Sequence, residues 1–75
     1  MTTGDIVRER ALELARSSTD REQAVSELLT CCGGRRVAAV SARQQLVASL
    51  DGEPDQRHAM RAVEFLDALL GKLPA

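Results

Sequence analysis

Hydrophobic residues recur at spacings of three and four in four stretches of the chain, which are separated by polar or glycine-containing breaks. The breaks are Ser17–Asp20, Gly33–Gly34 and Asp51–Asp55. None of the stretches shows the sustained alternation of a half-buried strand. The pattern predicts one all-α domain over residues 1–75, either a small four-helix bundle or an orthogonal helical array. The predicted helices cover, approximately, residues 5–17, 20–32, 35–50 and 54–70.

Local signals at the breaks support these helix boundaries. Thr19 followed by Glu22 has the spacing of a capping box, which predicts the start of the second helix. Gly33 follows the last apolar position of that helix, where a left-handed residue commonly closes a helix. Pro54 suits the first turn of the fourth helix, because its missing N–H would have no partner there.

The fourth helix carries two adjacent apolar stripes. One consists of Met60, Val63, Leu66 and Leu70, and the other of Ala62, Phe65 and Leu69. One stripe is enough to seat a helix on its own domain. The second stripe is therefore predicted to meet another chain, with Phe65 as anchor and His58 and Arg61 at the rim. The alternative is that both stripes are buried within the monomer and Phe65 is its central core residue.

Composition favours a partner chain. The 75 residues include ten Leu and six Val, but also eleven Ala and a single aromatic residue. Small scaffolds with thin cores often depend on a metal, on disulfides or on another chain. No cluster of metal ligands is visible in the sequence and no cofactor is expected. The favoured partner is a second copy or another protein.

The adjacent cysteines are predicted to be structural. Cys31 and Cys32 end the second helix, where the partial negative charge of the helix dipole disfavours a thiolate. Arg35 and Arg36 are close enough in sequence to offset that effect. Two neighbouring thiols and a distant His58 are too few for a metal site. Cys32 is expected in the core and Cys31 at its edge, with a thiol switch or an intermolecular disulfide as the alternative.

A basic segment gives the corner at Gly33–Gly34 a second interpretation. The net charge is −1, yet residues 33–50 contain three Arg and no acid. A helix, a glycine-containing corner and a basic helix together form the outline of a helix-turn-helix, which binds DNA through its second helix. The candidate contacts are Arg35, Arg36, Arg43 and Gln44. The acidic balance of the whole chain argues against this function, because phosphate contacts supply most non-specific affinity.

Arg36 and Arg43 also have a structural interpretation. They lie seven residues apart on a face that includes Leu46, so their aliphatic stems can cover apolar surface while their charged heads pair with Glu or Asp. The candidate partners are Glu27, Glu64 and Asp67. The sequence does not choose among the three.

Catalysis is not expected. His58, the single histidine, is predicted to lie on a helix surface or at an interface, and the CCGGRR stretch lacks the Lys-Ser/Thr pair of a phosphate-binding loop. No apolar run approaches the ~20 residues of a membrane span, and the N-terminus lacks the features of a signal peptide. A cytoplasmic location is expected. The sequence thus favours a non-catalytic, self-associating helical interaction or regulatory module, with a DNA-binding regulator as the alternative.

Overall fold

Four α-helices form the protein in a computed structural model, which describes residues 2–52 and 54–73. The elements are α1 Thr3–Arg16, α2 Arg21–Cys32, α3 Arg36–Ser49, a 3₁₀ turn at Leu50–Gly52, and α4 Gln56–Lys72. No strand occurs in these two ranges. The all-α prediction is confirmed, and the helices are separated close to the predicted breaks.

The first corner differs from its prediction. Ser18 has a φ of 56°, in the left-handed region, and the backbone N–H of Thr19 donates to the carbonyl of Leu14 at 3.1 Å. Thr19 therefore completes the C-terminal turn of α1 and does not cap α2. The capping-box prediction for Thr19 and Glu22 is wrong: Asp20 is the N-cap, and its side chain accepts no capping hydrogen bond.

The second corner agrees with its prediction. Gly33 and Gly34 have φ values of 62° and 74°, which side chains with a Cβ rarely adopt. The N–H of Gly34 donates to the carbonyl of Leu29 and closes the last turn of α2. At the third corner, Asp55 has a non-helical conformation and is the N-cap of α4, so Pro54 precedes the helix instead of lying in its first turn.

The core lies where α1, α3 and α4 meet, and α2 covers it from the side of α1 and α4. Its largest fully buried side chains are Phe65, Leu28, Leu46, Leu66, Leu69, Val7 and Cys32. Eight alanines are buried as well, together with Leu12, Leu14, Val25 and Leu73. Small side chains therefore occupy much of the space between helices, and the helices approach one another closely.

Candidate functional site

The predicted interface on α4 is buried inside the monomer. Ala62 and Leu69 are 0% exposed and Phe65 is 1% exposed. The prediction that this stripe faces another chain is wrong, and the alternative with Phe65 in the core is correct. The reason is that α4 packs against all three other helices, so it needs a wide apolar arc within its own fold.

The other stripe of α4 is more open than predicted. Leu66 is fully buried, but Val63 and Leu70 are half-buried and Met60 is 57% exposed. Arg61 is at the surface, and its guanidinium carbon lies 5.3 Å from the centroid of the Phe65 ring. The arginine thus covers the ring in a cation–π contact and does not form the rim of an exposed patch.

His58 lies half-buried near the start of α4. Its Nδ1 is in contact with the Asp55 carboxylate. This hydrogen bond from His58 is the main reason why the pKa of Asp55 lies below its ordinary value. The contact also orients the imidazole, because one ring nitrogen is held at the helix start.

Two of the four candidate DNA contacts bond to α4. The Nε of Arg43 donates to Asp67 Oδ1 at 2.5 Å, so Asp67 is the partner among the three that the sequence suggested. Arg36 Nη1 donates to the backbone carbonyl of Leu70 at 3.2 Å. Both arginines tie α3 to the C-terminal half of α4. Arg43 pairs with an acid as expected, whereas Arg36 bonds to a backbone carbonyl.

The other two candidates point away from the bundle. Arg35 and Gln44 are exposed, and no side-chain hydrogen bond to either is found within the described ranges. Arg35 is the N-cap of α3, whose first turn contains no acid. Of the proposed DNA-binding set, only these two side chains lack a partner from α4.

The outer face of α3 is a feature that the sequence did not predict. Val37 is 80% exposed, Val47 is 45% exposed and Val40 is half-buried. Together with Ser41 and Gln44 they form what we call the α3 outer face. A shallow depression of about 340 Å³ is lined by Arg36, Val37, Val40, Ser41 and Gln44.

A signal for this face is present in the sequence. Val37, Val40 and Val47 recur at spacings of three and seven, as do residues on one side of a helix. Ala38, Ala39 and Ala42 fall on the opposite side of the helix and are buried, whereas Ala48 is exposed. The signal was missed because the bulkier residues of a helix are normally expected to face the core.

The cysteines lie where they were predicted. Cys32 is 1% exposed and Cys31 is half-buried, and both are free thiols. Burial, followed by the neighbouring Cys32, raises the pKa of Cys31, which opposes thiolate formation. Over the described residues, no group of three or more His, Cys, Asp or Glu side chains is placed to hold a metal.

No protein-family model, curated protein or solved structure matches the chain. Within the part of the chain that the structure describes, no helix has the length and apolar character needed to cross a membrane. A function must therefore be inferred from the surfaces of the molecule itself.

Proposed function

We propose that the protein is a non-catalytic helical interaction module that associates with a second copy of itself through the α3 outer face, in the cytoplasm. The observation that carries the proposal is Val37, a branched apolar side chain that is 80% exposed and lies beside Val40 and Val47 on one helix face. Apolar residues grouped on one face of a small domain are typical of a protein contact.

The charges of this face favour a second copy as the partner. A two-fold contact brings the same patch of both copies together, so a charge in its middle would oppose itself. Val40, Ser41 and Gln44 occupy the middle and carry no charge. The basic residues Arg35 and Arg36 lie at one end only.

An antiparallel pairing of the two α3 helices brings the uncharged middle of each face together and keeps the arginines of the two copies apart. Val37 of one copy then packs near Val47 of the other, and Val40 and Gln44 of both copies meet at the crossing. The two pairs of arginines lie at opposite ends of a helix of 14 residues, about 20 Å apart. That separation exceeds the screening length of about 8 Å at physiological ionic strength, so their repulsion is weak.

The expected dimer is reversible. A stable interface usually covers about 800 Å² on each partner, and the whole described surface amounts to 4582 Å². A face one helix wide supplies less than a stable interface requires. Association is therefore expected to depend on protein concentration, as suits a regulatory module.

Sedimentation equilibrium from micromolar to millimolar concentration tests the proposal. Val37→Asp should abolish the dimer, because it places a carboxylate against apolar side chains of the partner. Its helix content should remain native, since Val37 is exposed and an acid is favourable in the first turn of a helix. Met60→Asp is the matched control at an exposed apolar position on α4, and it should dimerise like the parent. A strictly monomeric parent, or equal dimerisation of both variants, would contradict the proposal.

DNA binding is the competing outcome, because it would use the same helix. Arg35 and Gln44 are accessible to a duplex, but a face that pairs with a second copy cannot also enter a groove. Arg36 and Arg43 bond to α4, and the chain has a net charge of −1, which together favour the protein partner. The test is titration with generic duplex DNA. Tight, salt-sensitive binding that is lost in the double variant Arg35→Ala with Arg36→Ala would show that DNA binding, and not self-association, is the function.

A further inference from the structure

A cleft separates the C-terminal end of α1 from the first half of α4. It has a volume of about 590 Å³, and its lining consists of Ala15, Ser18, Arg57, His58, Met60, Arg61 and Glu64. It shares no residue with the α3 outer face. Its volume lies within the range of small-molecule sites, which is roughly 300–1,000 Å³.

Two arginines dominate one wall of the cleft. Arg57 and Arg61 are both exposed, and neither belongs to an ion pair formed among residues 2–52 and 54–73. They lie four residues apart on α4, a spacing at which like charges destabilise a helix. An oxyanion held between the two guanidinium groups would remove that repulsion, and arginine forms paired hydrogen bonds with such groups.

Ser18 lines the same cleft and has a backbone conformation that disfavours serine. Its φ of 56° is left-handed, and it directly follows the C-cap of α1, where glycine is the usual residue. The fold would accept glycine at this position without backbone strain. Serine at this position therefore lowers folding stability relative to glycine, and it places a polar residue in the lining of the cleft.

The other residues that line the cleft indicate which class of ligand would fit it. Met60 is 57% exposed and offers an apolar surface beside the arginines. Glu64 contributes one negative charge, while the Asp55 carboxylate nearby is occupied by His58. The positive charge is thus concentrated at Arg57 and Arg61, next to the apolar surface of Met60.

We propose that this cleft binds a small organic oxyanion, a phosphate or a carboxylate joined to an apolar group. Arg57 and Arg61 hold the oxyanion, the Ser18 hydroxyl donates a hydrogen bond to it, and Met60 packs against the apolar part. The site is independent of the proposed self-association, because no residue is shared between them.

Amide chemical shifts, followed during titration of the full chain, test the site. The probes are phenyl phosphate, benzoate, inorganic phosphate and the neutral benzyl alcohol. Phenyl phosphate or benzoate should saturate and shift the signals of Ser18 and of residues 57–61. Whichever of these two binds more tightly identifies the oxyanion. Inorganic phosphate should bind more weakly because it lacks the apolar group, and benzyl alcohol should not saturate.

Variants test whether the oxyanion binds at this specific cleft or is only attracted by the positive charge of the protein surface. Arg57→Gln with Arg61→Gln should weaken binding by about tenfold or more, while Arg21→Gln, an exposed arginine on α2, should leave it unchanged. Ser18→Gly should raise the thermal stability of the fold and weaken ligand binding severalfold. A serine with only a structural role would not weaken ligand binding when it is replaced. Failure of both oxyanion probes to saturate, or equal weakening by Arg21→Gln, would overturn the proposal, as would unchanged affinity in Ser18→Gly.

Discussion

Helices α3 and α4 are both apolar over a wide arc, yet they bury different shares of their large side chains. In α4, Phe65, Leu66 and Leu69 are buried, whereas α3 buries Leu46 together with three alanines and leaves Val37 and Val47 exposed. The difference shows that a wide apolar arc has two possible causes. The wide apolar arc of α4 packs against three neighbouring helices, whereas part of the apolar arc of α3 has no packing partner within the fold.

Close approach of α1 and α3 explains why α3 buries alanines. A Cβ added to Gly4 on α1 would lie 2.8 Å from the Ser41 hydroxyl oxygen, which is shorter than any ordinary contact. Farther along the same pair of helices, Arg8 donates to Gln45 at 2.9 Å. Near the contact of Gly4 with Ser41 only small side chains fit between the two helices, whereas the larger Leu46 is buried farther along α3.

The largest expected effect is on the buried side of α4. Phe65→Ala should lower the free energy of unfolding by about 3–5 kcal/mol, because it removes the largest buried side chain and leaves a cavity. Met60→Ala, on the exposed side of the same helix, should change it by less than about 0.5 kcal/mol. Urea denaturation followed by circular dichroism measures both. Similar losses in the two variants would mean that the two sides of α4 are not distinguished as described.

The second prediction compares a buried and an exposed position of α3. Ala42→Leu should destabilise the fold by about 1–3 kcal/mol, since it adds volume where α3 packs closely against its neighbours. Ala48→Leu, on an exposed position of the same helix, should be nearly neutral. Thermal and urea unfolding of the pair would measure the difference. A stabilising Ala42→Leu would indicate unfilled space on the inner side of α3.

The starts of the two helices also differ. α3 is preceded by the basic Arg35, whereas α4 is preceded by the acidic Asp55, which contacts His58. Because that hydrogen bond lowers the pKa of Asp55 in the folded state, the stabilisation is present above the unfolded pKa of about 3.9. It is lost as the pH falls through the lower, folded value.

The smallest expected effect on stability comes from removing the contact between Asp55 and His58. Asp55→Asn should lower the melting temperature slightly at neutral pH and reduce the loss of stability on acidification below about pH 4. Asp51→Asn removes an acid that forms no ion pair within the described chain, and it should retain the acid sensitivity of the parent. Part of that sensitivity should remain in Asp55→Asn as well, because hydrogen bonds from Thr2 lower the pKa of Asp5. An acid profile unchanged by Asp55→Asn would contradict the assigned role of the His58 contact.

Local signals determined much of this protein from its sequence. Four helices, their breaks, the left-handed Gly33 and the buried Cys32 all follow from spacing and from residue type. These features depend on a few neighbouring residues, so a single chain is sufficient to predict them. The capping box at Thr19 failed because a second local pattern, the closing turn of α1, took the same residue.

Only the tertiary structure decided which side of each helix faces inward. The rotation of a helix about its axis depends on its neighbours and on their distance, and the spacing of apolar residues reports neither. The burial of Phe65, the exposure of Val37 and the choice of Asp67 for Arg43 were therefore decided by packing. The cleft that joins Ser18 to Arg57 and Arg61 was likewise decided there, because residues some forty positions apart come together only when α1 and α4 pack against each other.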